Sequence, residues 1–285
     1  PYIVADVKAG ARLLLQRDPN YWGADTPSQR GFYNFDAIDI QYFRDGNSLF
    51  EAFKAGLLDY RDETSTTRWS TGYEFPAAKD GRVIKEALKN DMPKGLEGFV
   101  FNTRQSLFKD IKLREAIGLM FDFEWVNANL YSGLYTRTKS FFDESELSSS
   151  GRAASQEELR LLAPYLSDVR KDILDGQWKP PIHDGSGRDR EIAKKSLDLL
   201  AQAGYRIKGD VLTKDGAPVR FEIMVKDRNQ ERLALNFSSS LQRIGVEAQV
   251  RLVDEVQYQR RRQKFDFDMM IGQWIASCLL YTSPS

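Results

Sequence analysis

The stretch VRFEIMVKDRNQERLALNFSSSLQRIGVEAQVRLV, residues 219–253, decides the reading of the fold. Residues 219–225 are dense in strand-forming apolar side chains and follow a turn at Lys214-Asp215-Gly216. A helical run over 229–243 comes next, stops at Gly245, and gives way to VEAQVRLV as a second strand. Strand, helix and strand at this spacing predict parallel strands joined by a crossover helix. Just upstream, a helix over 189–203 ends at Gly204; just downstream, a helix over 255–263 leads to the strand FDFDMMIG. The expected class is therefore α/β, with a mostly parallel sheet covered by helices.

Toward the N-terminus the pattern is richer in β-structure. PYIVADV, a turn at Lys8-Ala9-Gly10 and ARLLLQR predict a hairpin, and AIDIQYF (37–43) predicts a third strand. SLFEAFKAG reads as a helix stopped by Gly56, and LLDYRD and RVIKEAL read as short strands. Met92-Pro93-Lys94-Gly95 leads into EGFVFNT, a buried strand. Asp110 is a plausible N-cap for the helix IKLREAIGLMFD, which stacks Ile111, Leu113, Ile117, Leu119 and Met120, and FEWVNANLYSG follows as another helix. Residues 136–190 are the softest part, with a helical SQEELRLLAPYL among loops.

A chain of 285 residues is at the size where single cores stop growing, so two lobes are expected. Lys plus Arg and Asp plus Glu both total 41, which leaves no basic field for nucleic acid. One cysteine, Cys278, and one histidine, His183, are too few for most metal or thiol chemistry, and no cofactor is expected. No apolar stretch is long enough to span a bilayer. The start at Pro1 reads as a cut, and CLLYTSPS (278–285) reads as a tail foreign to the fold.

Catalytic motifs are scarce. Ser106-Leu107-Phe108-Lys109 matches S-x-x-K, but neither S-D-N nor K-T-G accompanies it. His183, in a Pro/Gly/Asp loop, reads as an exposed loop histidine, and Asp266 and Asp268 read as the wet side of a strand. Aromatic residues are more telling. Trp69, Phe101, Tyr135 and Trp274 stand with others at strand ends and loops, where some would line a cleft. Tyr21 and Trp22, side by side after a Pro-Asn turn, need a cover from elsewhere to bury their area.

DPNYWG, FEAFKAGLLDYR, FVFNT, LFKDIKLREAI and FD, in that order, resemble the family 5 extracellular solute-binding proteins of ABC importers. DYRDETSTTRW, FDFEWVNANLYSGLYTRTKSFFDESELSSSG and FDFDMM look like the YejA-type oligopeptide receptors among them. The resemblance implies a two-lobed, type II periplasmic-binding-protein-like fold that closes on a peptide. It would make residues 1–96 part of lobe I, 97–271 a nearly complete lobe II, and 272–285 a return crossing into lobe I. It implies a periplasmic, monomeric, non-catalytic receptor that passes oligopeptides to inner-membrane ABC permease subunits. On that scaffold Asn102 would satisfy peptide backbone at the end of the first crossing, and Glu63 would pair an ammonium group. Phe101, Trp69, Tyr135 and Trp274 would complete the ligand site, with Asn102 and Trp274 close together. Tyr21 and Trp22 would anchor lobe I. The competing readings are a carboxylate-based hydrolase using Glu63 and a second acid, and a nickel or haem receptor on the same scaffold.

Overall fold

The computed structural model describes residues 1–88, 94–145 and 147–274. It divides into two compact units, Pro1–Lys85 and Glu86–Ser285. The division falls eleven residues before the expected lobe boundary at 96/97.

The first unit opens with an antiparallel meander of β1 (Tyr2–Lys8), β2 (Arg12–Arg17) and β3 (Ala37–Gln41). Gly10, at φ +71°, allows the tight β1–β2 turn, closed by the Ala11 N–H on the Lys8 carbonyl at 2.9 Å. Helices α1 (Gly46–Lys54), α2 (Thr66–Thr71) and α3 (Pro76–Lys79) follow. The segments LLDYRD and RVIKEAL, expected as strands, carry no strand pairing. The aromatic residues of this unit meet one another: Phe50, the one buried apolar side chain here among those described, packs edge-on against Tyr73 at 5.4 Å. Tyr21 contacts the rings of Trp22 and Tyr33, yet Trp22 is 85% exposed.

The second unit is built on a sheet of β4 (Leu96–Phe101), β8 (Arg220–Val225), β9 (Glu247–Leu252) and β10 (Met269–Trp274) in the order β4-β10-β8-β9. β8 pairs parallel with both β9 and β10, and β4 closes the other edge antiparallel to β10. Between β4 and β8 run α4 (Ile111–Leu119), α5 (Phe123–Leu130), α6 (Gln156–Leu162), α7 (Lys171–Leu174) and α8 (Arg190–Gln202). A small antiparallel sheet of β5 (Arg206–Lys208), β6 (Val211–Lys214) and β7 (Ala217–Pro218) follows α8; only its Asp215-Gly216 turn was foreseen. α9 (Arg228–Gln242) and α10 (Glu255–Gln263) are the two crossovers.

An aspartate opens α1, α4, α5, α8, α9 and α10: Asp45, Asp110, Asp122, Asp189, Asp227 and Asp254 each accept backbone N–H bonds from the first turn. These satisfy donors that a helix start leaves open. One sheet face packs Phe221, Ile223, Val225, Met269 and Ile271 against α4, α8 and α9. Within α4 that face is Leu113, Ala116 and Ile117, whereas Ile111 is 64% exposed, a correction to the expected stack. The opposite face carries a smaller cluster of Met224, Met270, Phe267 and Tyr258 of α10. Tyr258 donates its hydroxyl to the Ile271 carbonyl at 2.5 Å, tying α10 to the sheet. Across the β8/β9 edge Arg220 pairs with Glu247, while Glu222 receives both Arg251 (3.1 Å) and Arg261 (2.8 Å).

Candidate functional site

In a parallel sheet ligands bind outside the carboxyl ends of the strands, where successive crossovers leave in opposite directions. Here α9 carries the chain from β8 to β9 on one face, and α10 returns it past β8 to β10 on the other. The carboxyl ends of β8 and β10 therefore flank such a switch point. The amino end of β4 joins them, because Leu96 is in register with Trp274 and Glu97 with Gln273.

Side chains at this rim separate by face through the alternation of β4 and β10. Glu97 shares the face of Phe99 and Phe101, toward α9, and no cation lies within ion-pair distance of it among the described residues. Partial desolvation, and secondarily Asp227, tend to raise its carboxyl above the usual carboxylate range, with Lys226 opposing, but Glu97 is an exposed residue, so solvent screens this effect. Tyr131 and Tyr135 lie nearby with ring centroids 4.7 Å apart, and burial, then Tyr135 and Glu97, push the Tyr131 hydroxyl up to about 12. Asn127 of α5 brackets Tyr135: its amide accepts the Tyr135 N–H at 2.9 Å and donates to the Tyr135 carbonyl at 2.7 Å. The tyrosine ring itself stays 46% exposed. Trp274 sits on the opposite face with Met270 and Gly272 and is 40% exposed. A Cβ on Gly272 would lie 3.0 Å from the Trp274 ring and 2.7 Å from Val100, so glycine permits the indole to lie flat there.

The remaining expected residues stand elsewhere. Asn102 is buried: its amide donates to the carbonyls of Phe265 (2.9 Å) and Phe267 (2.7 Å), and its oxygen accepts the Arg104 N–H at 3.2 Å. It clamps the turn into β10 and has no donor left for a peptide. It also lies at the far end of the β4/β10 ladder from Trp274, roughly 20 Å away at about 3.4 Å per residue. That overturns the expectation that the two sit together, because antiparallel pairing brings the end of β4 to the start of β10. Phe101 turns into the core, edge-on to Phe108 at 5.1 Å.

In the first unit Glu63 is buried and already neutralised. It pairs with Arg61, lies 3.5 Å from Arg68, and accepts the Ser65 N–H (2.9 Å) and the Tyr73 hydroxyl (3.2 Å). Burial works to raise its carboxyl, but these partners outweigh it and hold the group below the usual range. A carboxylate so engaged is neither free to grip an ammonium nor poised as a general acid. Trp69, half-buried in α2, packs edge-on to Tyr73 at 6.4 Å, with the Lys85 ammonium 4.6 Å over its ring. His183, expected to be exposed, is buried because its loop folds over the start of α5. Its N–H meets Glu124 (3.1 Å) and the Gly187 N–H meets Asp122 (2.9 Å). Asp268 is likewise drawn in, accepting the Glu222 N–H at 2.9 Å.

Sequence reasoning passed over Glu97. Its signal was an acidic residue opening the otherwise apolar run of β4.

Solved solute-binding proteins share the fold of this chain. NikA of Brucella suis, in complex with Fe(III)-EDTA, superposes with TM-score 0.63 at 21% identity over 97% of this chain and 48% of that one. The oligopeptide-binding protein AppA of Bacillus subtilis, in complex with a nonapeptide, gives TM-score 0.60 at 20% identity over 98% of this chain and 47% of that one. The family model for bacterial extracellular solute-binding proteins, family 5, matches residues 1–280, and the chain belongs to that family. A binding-protein homologue of Brucella melitensis biotype 1 is 49% identical over 278 residues, 97% of this chain. From Agrobacterium fabrum, "Peptidoglycan-binding protein YepA" is 39% identical over 95% of this chain and "Probable peptide-binding protein YejA" 36% identical over 97%. The chain spans 45 to 46% of the length of these three relatives. Family and neighbours are binding proteins. Among the described residues no helix is long and apolar enough to cross a membrane.

Proposed function

We propose that this chain is the ligand-contacting portion of a periplasmic peptide receptor that delivers oligopeptides, chemically unaltered, to the permease of an ABC importer. The observation that carries the reading is the rim at the carboxyl ends of β8 and β10. It combines a carboxylate, Glu97, that has no ion-pair partner among the described residues with exposed aromatic surface on both sides of the sheet, Tyr135 and Trp274. A peptide offers an ammonium to the carboxylate and side chains to the rings. The peptide-binding name of one relative and the nonapeptide held by AppA support the same class of ligand.

The test is native mass spectrometry of the chain mixed with a random peptide library. Intact peptides retained on the protein support the reading, and shortened products would point to a hydrolase. Calorimetry with nickel, haem and peptide in parallel addresses the third reading, and heat from the metal or haem alone would favour it.

A further inference from the structure

A second feature of the larger unit lies away from that rim. The exposed side of α9 and the loop after His183 enclose a groove of about 530 Å3, a size suited to a small solute. Trp125, Arg188, Asn236, Ser239, Gln242 and Arg243 line it. Asn236 and Ser239 recur at helical spacing on α9, and Arg243, its C-cap, continues that line.

The lining is one-sided in charge: it contains two guanidinium groups and no carboxylate. Arg188 and Arg243 form no ion pair among the described residues. Among the described residues the hydrogen bonds of Arg243 are 3.3 Å contacts to the carbonyls of Gly187 and Asp189. Gly187 is pressed onto the indole of Trp125, where a Cβ would come within 2.9 Å, which fixes the ring at the groove wall. Behind the wall is a void of about 10 Å3 that shares Gly187 and Arg243 with the groove. His183 is among the residues that line it, and its buried Nε2 has no hydrogen-bond partner among the described residues. A polar atom left unmet in a nine-tenths buried side chain is costly, and a void of this size admits about one water. The void also borders Asp122 and Asp189, so the lining that is free of carboxylates is that of the groove alone.

We infer that this groove binds a small polyhydroxylated anion. Its carboxylate or phosphate lies between Arg188 and Arg243, its hydroxyls meet Asn236, Ser239 and Gln242, and its apolar face lies against Trp125. Bidentate guanidinium contacts suit either oxyanion.

Calorimetry on the whole chain distinguishes the sources: glucuronate for the carboxylate, glucose 6-phosphate for the phosphate, and neutral glucose as the control. At least one anion should bind at least about tenfold more tightly than glucose. Arg188→Glu should weaken it by at least about tenfold and Ser239→Trp, which fills the groove, should abolish it. Both positions are exposed, and unchanged thermal unfolding would show the fold intact. Absence of binding by both anions overturns the inference. So does equal binding of glucose, or binding that survives both substitutions in folded protein. Peptide binding at the rim is a separate titration, so failure of one reading leaves the other standing.

Discussion

Glu63 shows how little a residue's type says about its use. As a sequence letter it is a carboxylate in a polar run; in the structure it is the hub of Arg61, Arg68, Tyr73 and Ser65, with Arg61 and Arg68 each also stacked 5.1 Å from the Phe50 ring. Glu63→Gln should destabilise the first unit by about 3 kcal/mol at neutral pH, because two cations lose their counter-charge. Its carboxyl is lowered in the folded state, so its contribution is present above the unfolded value and fades as pH falls through the folded one. Urea titrations should therefore show the gap between wild type and variant narrowing below about pH 4. Glu97 has the opposite sign. Its raised carboxyl costs stability once ionised, so Glu97→Gln should stabilise the chain at pH 7 and leave it unchanged in acid, while weakening peptide binding by about tenfold. A variant that binds peptide as well as wild type would remove Glu97 from the rim's function. Neither role was legible in the sequence, because each depends on which charges the fold brings near.

At the level of elements the sequence was a better guide. The run from 189 to 263 appears at almost the expected bounds, as α8, β8, α9, β9 and α10, because period, aspartate starts and glycine stops agree there. LLDYRD failed for want of a partner strand, which local pattern cannot supply. Asp110 illustrates the agreement. It caps α4 through Lys112 and Leu113 and also receives Lys214 (2.9 Å) and the Tyr205 hydroxyl (3.1 Å), joining α4 to the small sheet after α8. Asp110→Ala should cost about 1 to 2 kcal/mol in chemical unfolding, with Asp110→Asn recovering the cap alone. Equal losses in the two variants would assign the whole effect to Lys214 and Tyr205.

For the whole molecule, the two units differ in how much they bury. Both apolar clusters belong to the second, whereas the first buries only Phe50 among its described apolar side chains and leaves Trp22, Phe35 and Tyr60 mostly exposed. A core that small offsets little of the entropy of ordering. Expressed separately, Glu86–Ser285 should melt in one cooperative transition by calorimetry, and Pro1–Lys85 should show none. A sharp transition in the shorter piece would mean that its aromatic contacts suffice alone.

The paired charges along β8 and β9 bear on behaviour in a crowded compartment. Among the described residues β9 ends the sheet, with one row of its backbone groups unmatched by any other strand. Such a margin invites a neighbouring molecule to add itself and begin a ribbon. Arg251, held by Glu222, and Glu247, held by Arg220, put fixed charges of both signs along that margin, so an approaching strand would have to strip water from them before its first bond could form.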